Sequence, residues 1–207
     1  MGTQPADRCD PWPAPAGWFG KIPALGDFAA RRLPPEFTEP WDLWLSGGLL
    51  AAREALGAGW LESYTNAPLW RFALMPGALD SRHWFGVLMP SVDRVGRQYP
   101  LTIASGFAPQ IGIAIRWWTA LIEVAMRVRQ PGCNAETLEA ELLALADRER
   151  ACPAEDSVDS KVAAALASAG PGTTLWWPWR GHTADSEALS VLDGLPHAER
   201  LVQLWST

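Results

Sequence analysis

A short polar segment in the middle of the chain carries side chains that could do chemistry. Between Pro90 and Leu101 the sequence reads PSVDRVGRQYPL, and apolar runs precede and follow it. Asp93 supplies a carboxylate, and Arg94 and Arg97 supply guanidinium groups that keep their charge. Such a segment can form a catalytic site, a binding surface for a partner or an anion, or the charge-paired support of a turn.

One arginine stands among apolar neighbours in the strand-like run LWRFALM. Arg71 alternates with apolar residues there, so in a strand it shares their face of the sheet. Because its charge persists, it must reach water or a carboxylate, and Asp27 and Asp93 are the acidic residues of nearby predicted loops. We expect Asp93 to pair with an arginine, first with Arg71 and otherwise with Arg31 or Arg97.

Two interpretations of these charges remain open. In the first, an ion pair fixes loops onto the sheet and has only a structural role. In the second, five cationic side chains converge on an anion or on an acidic segment of another protein. The five candidates are Lys21, Arg31, Arg71, Arg94 and Arg97.

Motifs for known catalytic chemistry are missing. Ser91, His83 and Asp93 are the residue types of a serine hydrolase, but no G-x-S-x-G elbow surrounds the serine. Ile22 stands where a phosphate-binding loop ending in Gly-Lys needs Ser or Thr. The histidines are scattered and no cysteine pair has C-x-x-C spacing. We therefore expect no enzymatic activity, no bound metal and no cofactor.

Composition favours a folded protein with many aromatic side chains. The chain has 207 residues, 48% of them hydrophobic, a formal charge of -6 and 13 tryptophans. The negative charge argues against nucleic-acid binding, and no segment reads as a signal peptide or a transmembrane span. These features predict a cytoplasmic protein. The Pro- and Ala-containing residues 1–16 predict a disordered or loosely held tail.

The polar segment must be positioned by strands on either side of it. Strand-like runs at 69–75, 83–89 and 101–107 are joined by short loops, which predicts a three-stranded antiparallel meander. Gly17–Lys21 predicts an earlier strand. The run TLWWPW at 174–179 and its partner ALSVL at 188–192 predict two later ones.

Helical periodicity accounts for most of the remaining chain. A helix is predicted from Thr38, with Pro40 in its first turn and close packing or a kink at Gly47 and Gly48. A long buried helix is predicted over 111–129, and three shorter helices follow it. The first is predicted to be capped by Asn134 and the second by Asp156 or Ser157. The third is predicted to begin at Pro196. The predicted fold is a single α+β domain, a largely antiparallel sheet packed with helices.

Four blocks of sequence together resemble a known family. They are G-x-x-G-K-x-P-x-x-G-D-F at 17–28, P-W-D-x-W-L at 40–45, P-L-W-R-F at 68–72 and P-S-V-D-R-V-G-R at 90–97. In order and spacing they resemble the TagF proteins, also called ImpM, of bacterial type VI secretion systems. The resemblance is strongest over 17–107, within a TagF-like domain expected to cover 17–207.

The resemblance implies regulation rather than catalysis. TagF-like proteins are expected to repress type VI secretion after translation, in the cytoplasm, by binding a scaffold protein with a forkhead-associated domain. The family carries no established catalytic residues to transfer to this chain. An enzyme or small-ligand and anion-binding protein that uses Asp93, Arg94 and Arg97 is the alternative.

Tryptophans offer a second candidate surface for a partner. Trp176 and Trp177 point to opposite faces of a strand, and Trp179 shares the face of Trp177. They can all belong to the core, or one of them can be an exposed anchor for the scaffold, because tryptophan is enriched at interface hot spots. Trp177 and Trp179 are the candidates carried forward.

Overall fold

We analysed a computed structural model of the chain. It describes residues 14–24, 27–107, 111–130, 132–151, 160–179, 181, 188–197 and 199–206. The strands are β1 (Gly17–Lys21), β2 (Phe28–Arg31), β3 (Leu69–Leu74), β4 (Trp84–Met89), β5 (Leu101–Gly106), β6 (Thr173–Trp179) and β7 (Ser190–Asp193). The helices are α1 (Pro35–Leu56), α2 (Trp60–Asn66), α3 (Ile111–Val128), α4 (Ala135–Ala151), α5 (Ser160–Ser168) and α6 (Glu199–Gln203).

The described strands form one open sheet in the order β2-β1-β5-β4-β3-β6-β7. Every neighbouring pair is antiparallel. The predicted meander is its centre, and the pairing of β6 with β7 is confirmed. The α+β fold class is therefore confirmed.

Helices cover both faces of the sheet, and alternation along the strands divides the core in two. On one face Trp18, Phe85 and Trp177 pack in a cluster with residues of α3, α4 and α5. On the other face Phe72 and Trp176 pack in a cluster with residues of α1, α2 and α6. This is the period-two pattern of a sheet that is buried on both sides.

Helix α1 begins three residues earlier than predicted. Pro35 occupies its first turn, where a missing N–H costs nothing, and Pro34 is the N-cap. The hydroxyl of Thr38 donates to the carbonyl of Pro34 at 3.3 Å, so Thr38 lies inside the helix rather than capping it. Pro40 is also an interior residue of the helix.

Close packing or a kink was expected at Gly47 and Gly48 of α1, and close packing is confirmed at Gly48. A Cβ on Gly48 would overlap the side chain of Leu201, whereas a Cβ on Gly47 would meet nothing within 4 Å. The Leu201 side chain of α6 therefore occupies the space that a side chain at residue 48 of α1 would need. Helix α6 begins at Glu199 rather than at Pro196 as predicted, and its Leu201 is buried in the same cluster as Trp205, which follows the helix.

Of the caps predicted for the helices after α3, one is confirmed. Asn134 caps α4, because its side-chain oxygen accepts the backbone N–H of Thr137 at 2.8 Å. The predicted caps at 156 and 157 lie outside the described residues. Strand β2 and helix α2 were not predicted: both are short, and β2 is mostly exposed.

Residues 14–16 end the segment predicted to be a loose tail. The carbonyl of Ala14 accepts a hydrogen bond from Ser105, and the carbonyl of Ala16 accepts from Arg32. Residues 1–13, including Trp12, lie outside the described residues. No helix in the described ranges has the length and apolar character needed to cross a bilayer.

Candidate functional site

The polar segment between β4 and β5 folds into a tight hairpin loop, residues 93–97. The N–H of Asp93 donates to the carbonyl of Arg97, and the N–H of Gly96 donates to the carbonyl of Asp93, both at 3.0 Å. Gly96 has φ of +84°, a left-handed conformation that suits glycine. A bridge between Val92 and Gln98 closes the loop. Local turn chemistry thus fixes its backbone.

The carboxylate of Asp93 organises this loop from inside. One oxygen accepts the backbone N–H groups of Val95 at 3.0 Å and Arg97 at 2.9 Å, an arrangement typical of aspartate in turns. The other oxygen pairs with Nζ of Lys21 and with Nε of Arg97, each at 2.7 Å. Asp93 and Lys21 are both buried. The pair ties the hairpin loop to the end of β1.

Charge pairing makes Asp93 a poor general base. Burial alone would raise the pKa of Asp93, but hydrogen bonds from Lys21, Arg97 and the N–H of Val95 hold it well below its usual range. The carboxylate therefore stays ionised and has both oxygens engaged. This geometry argues against a catalytic use of Asp93.

Above this buried pair the loop presents side chains to solvent. Arg94 and Arg97 are exposed, and Val95 is 64% exposed. Phe28 pairs in register with Lys21 across β1 and β2, and it is 38% exposed. We call these four side chains, Arg94, Val95, Arg97 and Phe28, the loop surface. It combines two cations with two apolar groups on a fixed backbone.

Aromatic contacts and a second hydrogen bond brace the loop surface against α1. Phe28 meets the ring of Tyr99 edge-on, with centroids 4.9 Å apart. The hydroxyl of Tyr99 donates to the carboxylate of Asp42, and burial together with Asp42 raises the pKa of Tyr99 well above its usual range. Arg53 of α1 donates to the side chain of Gln98 at 3.2 Å. The segment that carries the loop surface is therefore held by α1 and, through Lys21, by β1.

The partner first expected for Asp93 was wrong. Arg71 lies within β3, where its guanidinium stacks 5.1 Å from the ring centre of Trp177 and donates to the carbonyl of Pro178 at 3.2 Å. Strand β3 pairs with β4 and β6. Asp93 instead lies beyond the end of β4, where it pairs with Lys21 at the end of β1. The alternative partner Arg97 is confirmed. Lys21, predicted only as a member of an anion site, is the other partner.

The remaining predicted site residues do not all converge. Asp27 is exposed and its carboxylate accepts the N–H of Phe28 at 2.8 Å, next to the loop surface. Arg31, at the far end of β2, lies 3.8 Å from Glu136 of α4, and both side chains are largely exposed. The anion site of five cations is therefore not assembled: Lys21, Arg94 and Arg97 are together, and Arg31 and Arg71 are elsewhere.

The triad of residue types suggested by a serine hydrolase is also not assembled. His83 precedes β4 and Ser91 follows it, so a full strand of more than about 20 Å separates them. Burial lowers the pKa of His83. Within the described ranges no three His, Cys, Asp or Glu side chains are grouped to hold a metal ion.

Tryptophans serve mainly as core residues in this fold. Trp176 and Trp177 are each 1% exposed, and the ring of Trp177 meets Trp118 edge-on at 4.6 Å. A buried indole cannot be an exposed anchor, so that role for Trp177 is wrong. Trp179 is half-buried against the same cluster. Helices on both faces of the sheet account for the large number of tryptophans.

A set of hydrogen bonds at the opposite end of β1 was not predicted from the sequence. Glu139 of α4 accepts hydrogen bonds from both Trp18 and Arg32. Arg32 has φ of +60°, unusual for a residue with a side chain, and also donates to the carbonyl of Ala16. Because Glu139 is more than 100 positions away along the chain, no local pattern indicates this contact.

The architecture and the charged hairpin define a class: an antiparallel α+β domain, covered on both faces, that displays a rigid loop. The same fold is found in PA0076 from Pseudomonas aeruginosa PAO1, known from a crystal structure at 2.05 Å resolution. It is 33% identical to this chain over 92% of this chain and 94% of that one, with a TM-score of 0.75.

The family follows from the sequence of the same region. Residues 17–145 match the TagF N-terminal domain, described as type VI secretion system-associated, so this chain belongs to the TagF family. The match extends past the meander through α3 and into α4. It confirms the resemblance and the association with type VI secretion. A comparison with curated protein sequences returns no match.

Proposed function

We propose that this chain is a non-enzymatic, cytoplasmic regulator that represses type VI secretion by binding a scaffold protein with a forkhead-associated domain. Membership of a family associated with type VI secretion supports an accessory role. The engaged carboxylate of Asp93 and the distance between Ser91 and His83 support a role without catalysis.

The observation that carries the proposal is the loop surface. Its backbone is fixed by the buried pair of Asp93 and Lys21, so little conformational entropy is lost when a partner binds. Arg94 and Arg97 add positive charge to a chain whose formal charge is -6, and arginine is enriched at interfaces. Val95 adds an exposed apolar contact. A partner with an acidic, partly apolar segment fits these groups.

The proposal can be tested in a bacterium with an active type VI system. Overproduction of the wild-type chain is expected to reduce the amount of secreted effector in the medium. The double variant Arg94→Glu/Val95→Asp should lose this repression while keeping the melting temperature of the wild type, because both side chains are exposed. Leu143→Asp, at an exposed leucine of α4, is the matched control and should still repress.

Two outcomes would overturn the proposal in different ways. A wild-type chain that leaves secretion unchanged contradicts the regulatory function. A double variant that represses as strongly as the wild type contradicts the choice of the loop surface. Hydrolysis of esters or phosphoesters by the purified chain would contradict the absence of catalysis.

A further inference from the structure

Helix α1 carries an apolar strip on the side opposite to its buried residues. Leu43 is 78% exposed and Leu50 is 60% exposed. They are seven positions apart, so two helical turns place them on one face. Gly47 lies between them, and a Cβ there would meet nothing within 4 Å. The strip is therefore continuous and open, as expected of a contact surface rather than of leucines scattered singly.

Glutamates border this strip at both of its ends. Glu36 and Glu39 precede the leucines and Glu54 follows them, and all three are exposed on the same side of the helix. In the part of the chain that the structure describes, none of the three forms an ion pair. We call the strip and its glutamates the α1 face, which consists of Glu36, Glu39, Leu43, Gly47, Leu50 and Glu54.

The loop surface has the complementary composition. Around it, the three cations Lys21, Arg94 and Arg97 stand against the two carboxylates of Asp27 and Asp93, which leaves positive charge. Its two other side chains are apolar and partly exposed. Arginines can therefore meet the glutamates of an α1 face while the apolar side chains meet its leucines, and both kinds of group are matched in one contact.

The two surfaces lie side by side on one molecule. The hydroxyl of Tyr99 donates to Asp42, and Arg53 donates to the side chain of Gln98 at 3.2 Å. Asp42 and Arg53 are the helix positions beside the α1 face, whereas Gln98 and Tyr99 directly follow the loop. Adjacent complementary surfaces suit a two-fold axis, because each surface of one copy then meets the other surface of its partner.

We infer that a second copy of this chain docks here, in a two-fold dimer in which the loop surface of each copy covers the α1 face of the other. The same contact then forms twice, which doubles the area buried. The α1 face supplies the acidic, partly apolar segment that the loop surface is proposed to bind on the scaffold. Dimer formation therefore hides the loop surface and competes with the scaffold. The dimer itself needs no scaffold and does not depend on repression.

Sedimentation velocity of the purified full chain, at concentrations from about 1 to 200 µM, tests the dimer. The wild type should shift from monomer to dimer as the concentration rises. Added salt should favour the monomer, because exposed charge pairs are screened. Arg94→Glu and the double variant Glu39→Arg/Glu54→Arg should each weaken the association by about tenfold or more, because like charges then face each other. Leu143→Asp, at an exposed leucine of α4, is the matched control and should dimerise like the wild type.

A mixture of the two charge-reversed variants separates a lost contact from a lost fold. In a two-fold dimer of one variant with the other, a reversed loop surface meets a reversed α1 face, and two unreversed surfaces meet in the second contact. Both contacts are complementary again, so the mixture should form a heterodimer although each variant alone is monomeric.

Four results would overturn the inference. They are a wild type that stays monomeric at the highest concentration, a wild type that forms species larger than a dimer, charge-reversed variants that dimerise like the wild type, and a mixture that does not associate. None of these results bears on the proposed binding of the scaffold, because that binding is measured with the scaffold present.

Discussion

Replacing Asp93 by alanine is expected to destabilise the protein strongly. The change removes two ion pairs at 2.7 Å and the acceptor of two backbone N–H groups. It also leaves the buried ammonium group of Lys21 without its carboxylate. Loss of one partner of a buried ion pair is among the most destabilising single changes. For a chain of this size, the expected loss of unfolding free energy corresponds to a fall in Tm of about 10 °C.

Two further variants separate the charge from the turn. Asp93→Asn retains a side-chain oxygen for the N–H groups of Val95 and Arg97 but loses the charge, so its Tm should lie between those of the wild type and Asp93→Ala. Asp27→Ala is the matched control, because Asp27 is exposed and accepts only the N–H of its neighbour. Thermal unfolding followed by tryptophan fluorescence measures all three.

The stability that Asp93 contributes is expected to fall as the pH is lowered. The pKa of Asp93 is lowered in the folded protein, so its carboxylate contributes stability above the unfolded pKa of about 3.9 and loses it as the pH falls. The difference in Tm between the wild type and Asp93→Ala should therefore narrow from pH 6 towards pH 2. The reasoning would be refuted if Asp93→Ala were as stable as the wild type at neutral pH, or if the difference in Tm between them widened in acid.

Two other predictions concern the helices and the core. Gly48→Ala should destabilise by about 1–3 kcal/mol in urea unfolding because its Cβ would overlap Leu201, whereas Gly47→Ala, in open space, should be neutral or stabilise by up to about 1 kcal/mol. Equal effects of the two would exclude close packing of α6. Trp177→Ala should cost about 3–5 kcal/mol in the same assay and the half-buried Trp179→Ala clearly less, and the reverse order would show that the core assignment is wrong.

Long runs with one clear period were predicted well from the sequence. The strands of the meander and helix α3 carry apolar patterns that local physics translates directly into structure. Strand β2 has no such pattern, because it is only four residues long and three of them are exposed. The start of α1 was misplaced because two prolines, Pro35 and Pro40, both fit a first turn and only packing distinguishes them.

The candidate site was predicted in part, and the errors have a physical cause. Asp93 was expected to be a paired carboxylate because Arg71, among apolar neighbours, needs an acidic partner and Asp93 lies in a nearby polar segment. Its partner Lys21 comes from a strand 72 positions earlier, and only the order of strands brings the two together. Arg71 was chosen from alternation alone, which predicts a face of the sheet but not which strand lies beside it.

The surroundings of Ser91 show the same limit. Ser91 was considered as a nucleophile, but His83 lies at the other end of β4 and cannot pair with it. Its backbone is instead fixed by Tyr64 of α2, whose hydroxyl donates to the carbonyl of Ser91 and accepts its N–H. Tyr64 carries no sequence signal that points to Ser91.

The affinity of the purified chain for the forkhead-associated domain of the scaffold tests the central claim most directly. Calorimetric titration should show binding by the wild type and by Leu143→Asp with equal affinity. Arg94→Glu/Val95→Asp should bind at least tenfold more weakly, because reversing a charge at the centre of an interface costs at least that much in affinity. Wild-type binding that the double variant fully retains, or no binding by the wild type at all, would contradict the account.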